Sequence, residues 1–359
     1  MMTAMLDDLR ATWREAPSYQ RLLVLASAAL IGAGLVHVVV WLAQGAPSLA
    51  GPVTWRKPIE FGVSLGLTGV FLGWAMRWLP RRPRLGWSLA AVYAVPVWAE
   101  WGLITLQKYR GVPSHFNDST GFDTAVFSGM GLMVMLLSLS AAGVLVWTLV
   151  EFRGSPSLAL GWRSGIAMLV VGLGIGFWII QNGNRVVDSS VLSSYDQASV
   201  LGAAGSLKIA HAAALHALQV VPILAWLAGF TAMRDQRRTQ LVAIGAGGYA
   251  AIVLATVVQA QAGRSLLDPT ALGCCSPSSA SPRWWVRTSS PCAPYWFAAP
   301  TPPPARRRSE PRTTSRSVVR HIGGSEAARN RPYRAVTSRG SSTATTPRSS
   351  PRRTSRPVP

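Results

Sequence analysis

The chain has 359 residues, of which 49% are hydrophobic and 15 are tryptophan, and it carries a formal net charge of +21. That apolarity over this length, with a mean hydropathy of +0.26, excludes an ordinary soluble domain and points to a membrane protein. The charge does not make it a nucleic-acid binder: residues 1–273 hold 19 Lys and Arg against 12 Asp and Glu, whereas residues 274–359 hold 16 against 2.

Residues 1–20 set Leu6, Leu9 and Trp13 at helical spacing among charged side chains. Two readings fit, a short interfacial helix and a frayed, solvated terminus. The first apolar run, 21–43, is longer than the ~7–15-residue core of a signal peptide and reads as a retained membrane helix. Crossing the hydrocarbon takes about 20 mainly apolar residues. That criterion marks seven spans, roughly 21–43, 58–79, 85–107, 124–150, 164–181, 207–231 and 241–263. The predicted fold class is an all-α, polytopic membrane helix bundle in contact with the lipid bilayer.

Pro96 and Pro222 fall inside the third and sixth spans, where they remove a helix hydrogen bond and predict a kink, as a packing adjustment or a hinge. Gly245, Gly247, Gly248, Ala250 and Ala251 in the seventh span predict close helix packing. The connections on the N-terminal side hold twelve Lys and Arg and those on the other side six. That bias predicts a cytoplasmic N-terminus in the cell membrane, with 1–20 as a cytoplasmic segment and 21–263 as the transmembrane domain.

Residues 264–359 form a Ser-, Pro- and Arg-rich tail that also holds all three cysteines, Cys274, Cys275 and Cys292. Such a composition cannot bury enough apolar surface to order itself and predicts disorder. The sixteen arginines of 274–359 would lie on the outer side, against the charge bias of the body. A genuine basic tail for anionic lipid or polymer is one reading; a frameshift product is the other, and the composition favours it. The apolar body has no thiolate ligand and no disulfide.

Depth along each helix, at ~1.5 Å per residue, sets His37, Glu100 and His216 about 10–14 Å below the outer end of their spans. Closer to that surface come Lys57, Glu60, Gln107, Lys208 and His211, with Gln219 further along the stripe of His211. Ionisable groups at membrane depth normally face the bundle interior or a water-filled cavity. The expectation is therefore an outward-facing polar pocket, completed by the loop 107–120, QKYRGVPSHFNDST. In that loop Arg110 and His115 suit an anion or a closing flap, Gly111 and Pro113 a turn, and Asn117 to Thr120 a cap for the next helix. His211 and His216 are five residues apart, about 140° around a helix, a poor spacing for two ligands of one metal. No nucleotide-binding glycine loop, GxSxG or HExxH occurs. The body offers no basis for nucleic-acid binding.

The stretches WRKPIEFGVSLG (55–66), QKYRGVPSHFNDST (107–120) and KIAHAAALHALQVVPILAW (208–226) resemble a family of uncharacterised bacterial multi-pass membrane proteins marked by an SHFNxST loop and a HALQ helix. The resemblance covers roughly 20–263 and implies the architecture without naming a reaction. The connection 182–206 departs from the glycine-rich, tryptophan-containing segment expected there. Three functions stay open at this point. One is a pocket for a small ligand, haem or quinone, held by His37, His211 or His216. Another is a zinc-dependent membrane hydrolase using His115, His211, His216 and Glu60 or Glu100. The last is a proton-coupled transporter or sensor built on Glu100.

Overall fold

The computed structural model describes residues 1–266. Helix α1 (Met2–Glu15) precedes seven long helices: α2 (Ser18–Ala43), α3 (Arg56–Ala75, prolonged by a 3₁₀ turn Met76–Trp78), α4 (Pro83–Arg110), α5 (Gly121–Val150), α6 (Pro156–Val186), α7 (Leu207–Gly229) and α8 (Asp235–Gln261). All seven are long and apolar enough to cross a membrane. The chain is a multi-pass membrane protein. Val36, Val95, Leu139, Val171, Val220 and Ile244 are exposed on six different helices, the surface that a bundle turns toward lipid. The expected disorder of the tail and its frameshift reading concern residues that lie, from 267 onward, outside the described ones.

The helices match the predicted spans but run past several of their ends. The fifth, expected over 164–181, covers Pro156–Val186. Ser155 caps it, accepting from Leu158 N, and Pro156 supplies a first-turn residue that needs no N–H partner. An apolar window cannot see these signals, because Arg163, Asn182 and Arg185 at the ends of the helix are polar. Between α6 and α7 a 3₁₀ segment (Leu192–Ser199) leads into a two-residue antiparallel pair, β1 (Val200–Leu201) with β2 (Gly205–Ser206). This small ribbon was not predicted, and it is too short to alter the helical class.

Glycines decide where helices touch. On α2 and α3, a Cβ at Gly62 would lie 2.7 Å from Gly34 Cα, and one at Gly66 would lie 2.7 Å from Ser27 O. Lipid supplies little hydrophobic drive between helices, so such close backbone approach provides much of the attraction. Between α6 and α7, a Cβ at Gly165 would lie 2.9 Å from Pro222 Cδ. Pro222 is thus a packing element, its ring seated on a glycine. In α8 only part of the expected small-residue packing is used: Gly245 meets Leu224, while Gly247 and Gly248 face open space.

At the α1 end of the bundle, Trp74 makes edge contacts with Trp162 and Trp226, ring centroids 5.1 and 5.4 Å apart. Helix α1 is tied to this cluster rather than frayed. Arg77 donates to both oxygens of Asp8 at 2.7 and 2.8 Å, and Trp226 Nε1 donates to Asp8 Oδ2 at 2.9 Å. Burial alone would raise the Asp8 carboxyl, but the hydrogen bonds from Arg77 and Trp226 and the charge of Arg77 hold it below its ordinary range.

Candidate functional site

The loop 111–120 is built at the opposite end, between α4 and α5. Helix α4 stops because Gly111 takes a left-handed conformation, φ 73°. Helix α5 starts because Thr120 Oγ1 accepts from Asp123 N at 3.1 Å. Asn117 folds the turn between them: its Nδ2 donates to Pro113 O at 3.2 Å, and its Oδ1 accepts from Ser119 Oγ at 2.6 Å. Phe116 sits at φ 57°, uncommon for a bulky residue. Two contacts hold it there, the ring against Gly183 of α6 and the carbonyl accepting from Tyr195 Oη at 3.2 Å.

Asp123 anchors the loop from inside the bundle. Gln107 Nε2 donates to Asp123 Oδ1 at 2.8 Å, Arg110 Nη1 donates to both the Gln107 and Asp123 oxygens, and Thr120 Oγ1 donates to Asp123 Oδ2 at 2.6 Å. Gln107 and Asp123 are buried. Arg110, expected to bind an anion or close over a pocket, instead pairs with this carboxylate.

Beneath the same loop lies a second polar group. Lys57 Nζ donates to Ser114 Oγ at 3.3 Å, Ser114 Oγ lies 2.9 Å from His115 Nδ1, and His115 Nε2 lies 3.9 Å from Glu100 Oε1. Donor counting fixes the first link of this series. An ammonium can only donate, so the Ser114 oxygen accepts from Lys57 and its own hydroxyl hydrogen is left for His115 Nδ1. In the tautomer in which that hydroxyl donates to Nδ1, the imidazole proton is on Nε2, the side facing Glu100. Burial first, and the Lys57 charge second, push the His115 imidazole well below its usual range, so it is neutral at neutral pH. Its ring is walled by Phe61 and Phe127, with centroids 5.8 and 6.0 Å away. Glu100 is 0% exposed, and neither carboxyl oxygen has a hydrogen-bond partner.

Lys57 and Ser114 also line a shallow pocket of about 170 Å³, including its open mouth, shared with Thr54, Ile104, Lys108 and Val112. That is below the ~300–1,000 Å³ of sites for drug-sized ligands. His37 is close by but faces an aromatic box, with Trp101 and Trp55 centroids 5.2 and 5.5 Å from its ring. Its Nδ1 donates to Ala33 O at 2.9 Å.

The remaining predicted residues are not brought to this cluster. His216 is exposed on α7, away from the layer it was expected to share with His37 and Glu100. His211 Nδ1 donates to Gly172 O at 2.6 Å, which ties α7 to α6. With its amide turned so that the nitrogen faces them, Gln219 donates at 3.2 Å to the carbonyls of Leu215 and His216, one turn back in its own helix. Glu60 is exposed and lies 3.9 Å from Arg56. Among the described residues, no group of three or more His, Cys, Asp or Glu is placed to hold a metal ion.

Sequence reasoning did not single out Asp123, Trp55, Trp101 or Lys108 as site residues. For Asp123 a signal existed: Thr120 and Asp123 have the spacing of a capping box, in which the acidic residue sits one turn inside the helix it caps. For the other three there was none, since a tryptophan or lysine near a membrane boundary is common on any face. Comparison with protein-family models, with curated proteins and with solved structures gives no match.

Proposed function

We propose that this multi-pass membrane protein exchanges a proton with its pocket through Glu100, as a proton-coupled transporter or sensor does. The observation that carries the reading is the Glu100 carboxyl, fully buried on a membrane-spanning helix with both oxygens free of hydrogen bonds. An ionisable side chain at that depth is costly and is kept where it serves an ion or proton pathway. The series Lys57, Ser114, His115 supplies the connection, since hydrogen bonds run from the pocket lining to His115, whose Nε2 lies 3.9 Å from the carboxyl. The excess of Lys and Arg on the N-terminal side supports a cytoplasmic N-terminus in the cell membrane and a pocket that opens outward. The likeness to the bacterial family marked by the SHFNxST loop supports the same architecture, and its loop motif contains Ser114 and His115.

Infrared difference spectroscopy of the purified chain across a pH titration tests the reading. A carboxyl C=O band that exchanges with a carboxylate band, and is lost in Glu100→Gln, is the expected result. In liposomes the same substitution abolishes proton movement driven by an imposed potential. A spectrum in which Glu100→Gln removes no titrating band overturns the reading.

A further inference from the structure

The pocket beside Glu100 holds more positive charge than its partners neutralise. Lys57 faces Arg56 and Lys208 as like charges, and only Glu60 and Glu100 as opposite ones. Glu60 is already beside Arg56 at 3.9 Å. Lys108, the second ammonium in the pocket lining, is 4.6 Å from the Trp55 ring centroid. Among the described residues neither lysine is within 4.0 Å of a carboxylate oxygen. Glu100 is the buried counter-charge that Lys57 feels, and the charged or titratable groups facing it are Lys57 and His115. His115 is neutral, so the charge balance of the site depends on the protonation of one carboxyl.

We infer that the pocket binds a small monovalent anion between Lys57 and Lys108, and that each anion is taken up together with a proton on Glu100. The inference rests on the proton-exchange reading and names what the proton is coupled to. While Glu100 is ionised it serves as the counter-ion of Lys57. Protonation removes that counter-ion, and the partly buried ammonium then needs another negative charge within reach. The pocket offers the place, small enough for an ion near the size of water rather than a larger metabolite. The first turn of α3, which begins at Arg56 and has no side-chain cap, adds its amide dipoles on the same side. The hydroxyls of Ser114 and Thr54 do not supply the donors: the first is directed at His115, and the second donates to Leu49 O at 3.2 Å. Anion and proton therefore favour each other, and by linkage the effect is reciprocal.

The test titrates the full chain in lipid nanodiscs with chloride, nitrate and formate as sodium salts, against gluconate, and follows tryptophan fluorescence. Trp55, in contact with Lys108, is the expected reporter. Saturable binding of at least one of the three is expected, tightening about tenfold per pH unit as pH falls if one proton accompanies each anion. Glu100→Gln keeps the binding and loses the pH slope. Lys57→Met weakens it by about tenfold or more, and Lys108→Met carries the same readout if the first variant does not fold. No saturable binding by any of the three anions overturns the inference, as does a pH slope that survives in Glu100→Gln. If the infrared titration still finds Glu100 exchanging a proton, only the anion is lost. If it does not, the proton-exchange reading fails as well.

Discussion

His115 Nε2 lies 3.9 Å from Glu100 Oε1, close enough for charge to be felt and too far for a hydrogen bond. The gap leaves the carboxyl without a donor, and it is set by the loop, since His115 is held from the other side by Ser114 Oγ at 2.9 Å. A movement of the loop of about 0.7 Å would bring the pair within hydrogen-bond range. Glu100 itself is on the continuous helix α4.

The His115 imidazole is held well below its ordinary value by burial and then by Lys57. An unfolded chain takes up this proton below about pH 6.5, whereas the folded chain does not until pH is much lower. The stabilisation is therefore full above about pH 6.5 and is lost progressively as pH falls from there toward the much lower folded value. Thermal midpoints in detergent should drop more steeply with acidification for the wild type than for His115→Gln. Parallel slopes for the two would show that His115 is not buried as described.

Asp123→Ala should destabilise the chain by about 2–4 kcal/mol, because it strands the amide of buried Gln107 and removes the partner of Arg110. Arg110 is partly exposed and finds water, so the loss falls short of that for a fully buried pair. Asp123→Asn keeps an oxygen for the Thr120 hydroxyl and should cost less. Denaturant titration followed by helical circular dichroism separates the three proteins.

Gly62→Ala should lower stability by about 1–3 kcal/mol, because the new methyl would be 2.7 Å from Gly34 Cα and the helices α2 and α3 must part. Gly32→Ala and Gly102→Ala meet nothing within 4 Å and should be neutral or slightly stabilising. The contrast is read from thermal midpoints of the three variants in one detergent.

Asp8 should loosen α1 when it is neutralised. Its carboxyl is held below 3.8 in the folded chain, so its contribution is present above that value and lost as pH falls through the lower folded one. The pair with Arg77 is only partly buried, which limits its worth to about 1 kcal/mol. Asp8→Asn should therefore leave the bundle intact while raising proteolysis of residues 1–17 and shifting the emission of Trp226, whose indole N–H it accepts at 2.9 Å.

The polar loop stands out in the sequence alone as a candidate functional region, and parts of it for the right reason. Thr120 caps α5 as its residue type and position foretold, and Gly111 ends α4 in the left-handed conformation. Glu100, expected to face the bundle interior, is buried there. The rotation of each helix about its axis was not legible. His216 was expected to share a layer with His37 and yet faces outward, because a helix rich in alanine and leucine all round has no apolar stripe to reveal which side packs. Arg110 was read as an anion ligand or part of a closing flap because its acceptor, Asp123, is thirteen residues away across a turn.

By itself the sequence determined seven membrane helices, their order and most of their ends, because the need to satisfy backbone groups in hydrocarbon is a local requirement that length, composition and capping residues meet within one segment. Only the tertiary structure decided which polar side chains meet. That outcome depends on glycine contacts such as Gly34 with Gly62, which set how closely and at what rotation helices approach. Helix packing sets Lys57 of α3 near Glu100 of α4, and the loop anchored on Asp123 carries Ser114 and His115 to the same place, while His211, His216 and Gln219 are on other faces of the bundle.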